Sequence, residues 1–193
     1  MFNVKIKEIF LPSILTGILG ASILLSGCAP KDATSQHDSD KTSLDSKDAT
    51  TDLRDKTEAK SIKNFTPTSD DPHDIDLLSQ YEAQFNTLSD ELDTELKKLE
   101  QEGNITEDFK SQRKYDLIKS SLNMLKDLDL KTEQGRYIQG LYYQYWENQA
   151  DVYKELQNSK TDELSNPTDA IEGMSDYYTA QAQLQHWKKQ TSQ

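Results

Sequence analysis

Cys28 is the one cysteine of the chain, and it stands directly behind an apolar run, Ile9 to Leu25, that is preceded by Lys5 and Lys7. With no other cysteine in the chain, disulfides, thiolate metal sites and a further cysteine nucleophile are excluded. The other groups able to do chemistry are sparse or diluted. The histidines His37, His73 and His186 lie far apart in sequence, and none has a second ligand at a metal-binding spacing. The acidic stretch Asp70-Asp71-Pro72-His73-Asp74-Ile75-Asp76 lacks the glycine and terminal glutamate of a calcium loop. It reads instead as acids placed at the positive end of a helix dipole. No metal or cofactor is expected.

Nucleophilic catalysis requires a hydroxyl or thiol with a positioned base. No Gly-x-Ser-x-Gly elbow occurs, and no serine is set apart from its neighbours. Paired carboxylates are abundant enough to carry no information. The chain is therefore expected not to be an enzyme. One local concentration stands out, the aromatic block Tyr137, Tyr142, Tyr143, Tyr145, Trp146 and Tyr153. On a helical wheel Tyr142 and Tyr145 fall inside the apolar seam, and Trp146 and Tyr153 on its border, so these four read most economically as core. Tyr143 points about 140° and Tyr137 about 100° away from it. Tyr137, Tyr143 and Trp146 are the candidate ligand-binding residues, because aromatics suit glycans and partner surfaces.

The elements that would position these groups can be read from spacing. Residues 29–74 are dominated by Lys, Asp, Ser, Thr and Ala, with Leu44, Leu53, Ile62 and Phe65 as the large apolar residues. Too little apolar surface is present to offset the entropy of ordering, which predicts a disordered acidic tether over 28–74. As a flexible coil it would span roughly 35–40 Å. Drawn out, it would reach about 150 Å. From residue 75 onward apolar residues recur at steps of three and four, as in Leu78, Tyr81, Phe85, Leu88 and Leu92. Helices are predicted over about 75–102, 107–128, 132–157 and 167–190. Gly103-Asn104 ends the first, Thr106 caps the second, and Asn166-Pro167 starts the fourth. No period-two run or hairpin turn appears. The fold class is all-α, a three- or four-helix bundle over 75–193, and whether the last helix docks or serves another chain stays open.

Leu25-Ser26-Gly27-Cys28, with the basic start and apolar run before it, resembles the lipobox of bacterial lipoproteins. The resemblance implies that residues 1–27 are a cleaved signal peptide and that Cys28 carries lipid. It also implies attachment to a membrane of the cell envelope. Ala29 after the cysteine implies the outer membrane facing the periplasm in a Gram-negative host. A Gram-positive host would place the protein on the outer face of the cell membrane. The alternative, that the seventeen residues Ile9 to Leu25 persist as a span, is weakened by Pro12, Gly17 and Gly20 and by a length short of the ~20 residues a bilayer needs.

The chain carries a formal charge of −12, which becomes −13 once the signal's two Lys and one Glu are removed. Such a surface repels nucleic acid and anionic headgroups, so the lipid, and not a basic patch, is expected to hold the membrane. The function expected is a non-catalytic protein-binding or scaffolding lipoprotein with an envelope protein as partner. The alternative is a glycan- or small-ligand-binding lipoprotein using its exposed aromatics.

Overall fold

The computed structural model describes residues 54–159, 164 and 166–192. The signal peptide, Cys28 and the first part of the expected tether lie outside the described residues. Among those described the fold is all-α, and no helix is long and apolar enough to cross a membrane. Four helices form the bundle: α1 (Asp71–Gln101), α2 (Glu107–Lys126), α3 (Glu133–Asn158) and α4 (Met174–Thr191). A 3-10 turn, Pro167–Ile171, precedes α4.

Each boundary has a local cause. Gly103, at φ 68°, takes the left-handed conformation that closes α1, while Asn104 N donates to Leu99 O. Thr106 and Thr132 cap α2 and α3 by accepting hydrogen bonds from Phe109 N and Gly135 N. Asn166 caps only the 3-10 turn. The predicted fourth helix over 167–190 is thus interrupted. Its break is Gly173, at φ 79°, whose missing side chain lets the chain approach α3. A Cβ there would sit 3.2 Å from Tyr145 Cα and 2.6 Å from Asn148 Nδ2. Gln149, the one polar residue in the α3 seam, is buried and donates to Ala170 O and Glu172 O, holding the turn in place.

The helices run up, down, up and down. Arg113 pairs with Glu95 and Lys110 with Glu100 across the antiparallel α1 and α2. Gln139 reaches Leu125 O from α3 to the end of α2. α3 is central, with α2 on one side and α4 on the other, and α1 lies across all three. α4 docks fully: Ala180 and Leu184 are 0% exposed and Trp187 1%.

The tether behaves differently from expectation in its described part. α1 begins at Asp71, four residues before the predicted start, and residues 58–68 run as an extended strap along α4. Ile62 and Phe65 of this otherwise polar segment are half-buried, and Phe65 packs on Tyr137 of α3. The unstructured run expected over 28–74 therefore does not extend to 74.

Candidate functional site

Two constellations emerge from this framework, one apolar and one polar. The apolar one gathers Tyr81 and Phe85 of α1, Tyr142, Tyr145 and Trp146 of α3, and Tyr177 of α4. Their rings meet at 4.6–6.2 Å in tilted or edge-on geometry. Helical spacing puts them there: Tyr142, Tyr145 and Trp146 stand three and four apart, on one face of α3. The polar tips of Tyr81, Tyr142 and Trp146 find partners there. Trp146 Nε1 donates to Tyr81 Oη at 2.7 Å, Tyr81 Oη and Ser121 Oγ are 2.7 Å apart, and Tyr142 Oη donates to Glu82 at 2.5 Å.

Burial raises the hydroxyls of Tyr81, Tyr142 and Tyr145 well above the usual tyrosine range and pushes Tyr153 and Tyr177 up to about 12. Glu82 adds to the shift at Tyr142 and Tyr177 by its charge. These phenols stay neutral at physiological pH. They work as packing groups.

The predicted ligand-binding trio is not assembled into one surface. Trp146 is 1% exposed and forms part of the core just described, which corrects its assignment as a contact residue. Its place on the border of the seam reads as core, and α1 and α4 cover both flanks of that face. Tyr137 and Tyr143 are half-buried on different faces of α3. Tyr143 lies under the Lys126 ammonium at 5.6 Å, whereas Tyr137 packs on Phe65 at 5.4 Å with Lys63 over its ring at 5.0 Å. Tyr178 stacks edge-on against Tyr177.

The polar constellation is the strap and what receives it. Ser175, Thr179 and Gln183 stand at steps of four on α4, and because four residues overshoot one turn by about 40° the row crosses the helix obliquely. Ser175 Oγ donates to Glu58 O at 2.6 Å. Thr179 Oγ1 accepts from Lys60 N at 2.8 Å. Gln183 grips the main chain of Lys63 with both ends of its amide, accepting from N at 3.0 Å and donating to O at 2.7 Å.

Three ion pairs run alongside: Lys56 to Glu172 at 2.9 Å, Lys60 to Asp176 at 2.6 Å and Lys63 to Glu133 at 3.7 Å. All have at least one solvent-exposed partner, so each contributes little on its own. They give the contact a sign, with lysines on the strap and just before it and carboxylates on the bundle.

The strap ends at two buried carboxylates. Asp71 accepts from Thr68 N, Thr68 Oγ1 and Trp187 Nε1, which ties the strap, α1 and α4 together. Asp74, 0% exposed, accepts from Lys131 N, Thr132 N and Thr132 Oγ1 at 2.7–3.0 Å and lies 3.0 Å from His73 Nδ1. A carboxylate of α1 thereby neutralises the positive end of α3. Burial pushes the Asp74 carboxyl up, but the hydrogen bonds from His73, Lys131 and Thr132 outweigh it and hold the group below its ordinary value. Gly135 leaves room for this arrangement, since a Cβ there would lie 2.5 Å from Asp74 Oδ2.

Among the described residues no group of three His, Cys, Asp or Glu side chains is placed to hold a metal ion. A shallow, open depression on α1 is lined by Thr87, Asp90, Glu91 and Thr94. No protein family, curated protein or solved structure matches the chain.

Reading the sequence missed Ser175, Thr179 and Gln183. Their step of four was visible, but polar residues at that step also describe a solvated helix face. The available sign was on the other partner, where Ile62 and Phe65 interrupt a run otherwise too polar to fold.

Proposed function

We propose that the chain is a membrane-anchored envelope lipoprotein whose helical bundle engages another envelope protein and performs no catalysis. The observation that carries this reading is the Leu25-Ser26-Gly27-Cys28 sequence behind a basic and apolar leader. Lipid on Cys28 holds the protein at the membrane. Two or three acyl chains anchor durably where one holds only marginally, since each buried methylene contributes ~0.8 kcal/mol.

The helical bundle supports the second half of the reading. It is a rigid acidic body on the same chain, joined to the anchor through residues 29–53. Because the folded part begins before α1, covalent geometry limits the span from Cys28 to Arg54 to about 90 Å, well short of the reach a tether ending at 74 would give. The partner is therefore sought near the anchoring membrane. Ala29 favours the outer membrane facing the periplasm in a Gram-negative cell.

Growth with labelled palmitate tests the anchor. Wild-type protein takes up label and Cys28→Ser does not; equal labelling of both, or an uncleaved N-terminus, contradicts the reading. Crosslinking in intact cells tests the second half, with a discrete adduct to an envelope protein expected and the absence of any adduct from every face of the bundle counting against it.

A further inference from the structure

The strap is held in a way that does not depend on most of its own side chains. Ser175, Thr179 and Gln183 bind its carbonyl and amide groups, which any extended segment can offer. Thr179 and Gln183 are 0% exposed beneath it, and their polar atoms are matched to a main chain in one direction and register. Specificity is added at three points. Asp176 meets Lys60, Glu133 meets Lys63, and Tyr137 receives Phe65, with the Lys63 ammonium 4.6 Å from the Phe65 ring and 5.0 Å from that of Tyr137.

Main-chain hydrogen bonds for affinity, with pockets and charges for selectivity, is how proteins read extended peptides. The contact is also suited to exchange. Hydrogen bonds to the strap can be replaced by bonds to water at small net cost, and only Ile62 and Phe65 add partly buried apolar surface.

We infer that the oblique Ser175-Thr179-Gln183 row, with Asp176, Glu133 and Tyr137 at its edge, is a docking site for an extended segment of a partner protein. That segment carries two lysines three residues apart and an aromatic two residues further on, and residues 58–65 occupy the site in cis until it displaces them. The inference rests on the protein-binding reading above and names where and what the bundle binds. The acidic bundle supplies the attraction for a basic segment, and the strap sets the threshold that segment must exceed. Cis occupancy lowers the apparent affinity for any competitor by the fraction of time the site is open.

The test uses the full chain and a fluorescein-labelled peptide with the sequence of residues 56–66, followed by anisotropy. Binding to wild type is expected to be weak, and to tighten by about tenfold or more when the chain's own strap is weakened by Lys60→Glu with Phe65→Ala. Adding Gln183→Leu to the weakened strap abolishes binding, with near-ultraviolet circular dichroism confirming that the aromatic core is intact. Should Gln183→Leu unfold the chain, a charge exchange serves instead. A peptide with aspartate at the Lys60 position is expected to bind Asp176→Lys, in a chain whose strap is weakened by Lys60→Ala with Phe65→Ala, better than it binds that same weakened chain with Asp176 retained.

No binding to the weakened-strap chain, or binding indifferent to both Gln183 and Asp176, overturns the inference. In cells, a photoreactive residue at Glu172 beside the strap is expected to give an adduct that Gln183→Leu abolishes. An adduct from Gln112 on α2 and none from Glu172 overturns the site while the protein-binding reading stands; no adduct from any face of the bundle contradicts that reading as well.

Discussion

The aromatic core and the strap contact lie on two sides of α4 and are built on opposite principles. In the core, Tyr177 and its neighbours exclude water and satisfy a few polar tips among themselves. In the strap contact, three polar side chains of the same helix hold a nearly apolar-free segment by its main chain. Apolar burial contributes in proportion to area and is lost only by unfolding, whereas exchangeable hydrogen bonds contribute little net and can be undone locally. The difference teaches that α4 is fixed to the bundle on one side and carries a replaceable occupant on the other.

Trp146→Ala attacks the apolar side and has the largest expected effect. It removes a side chain 1% exposed, packed on Phe85 and Tyr145, and leaves Tyr81 without its donor. A loss of about 4 kcal/mol in global stability, read by urea unfolding, follows from the usual cost of emptying an aromatic site. If the loss is below about 1 kcal/mol, the aromatic cluster is not the source of the bundle's stability.

The buried carboxylate that joins α1 to the start of α3 comes next. Asp74→Ala strands Lys131 N and Thr132 N without their acceptor and is expected to cost about 2–3 kcal/mol near neutral pH. The pH dependence has a definite sign. Because the folded state holds the Asp74 carboxyl below its ordinary value, its contribution is complete above about pH 4 and is lost as pH falls through the folded value. The gap in stability between wild type and Asp74→Ala therefore narrows in acid, which unfolding curves at several pH values would show. A gap that is constant with pH contradicts the assigned role.

Phe65→Ala is expected to have the smallest effect. Its ring is half-buried against Tyr137 and is not part of the buried core, so global stability should change by less than about 1 kcal/mol. A larger loss would mean that the strap is integral to the fold and would erase the contrast between the two regions.

What the sequence shows about the molecule divides along the same line. The core was legible because Leu78, Tyr81 and Phe85, and likewise Ile138, Tyr142 and Tyr145, repeat at helical steps, and burial follows from that period. The cap at Thr106 was equally local. The strap was not legible because nothing periodic marks an extended segment held through its main chain. The partners Lys63 and Gln183 are 120 positions apart. Trp146 at the seam border reads as core on the same wheel, and its second reading as a ligand contact rested on residue type alone.

Native-state amide hydrogen exchange on the full chain tests the contrast most directly. The amides of Lys60 and Lys63, which bond to Thr179 and Gln183, are predicted to exchange through a local opening at least about a hundredfold faster than those of Tyr142 and Leu184 in the core helices. Lys60 and Lys63 protected to the same degree as Tyr142 and Leu184 would show that strap and bundle open as one unit, and would contradict the account of α4 as a fixed helix with a replaceable occupant.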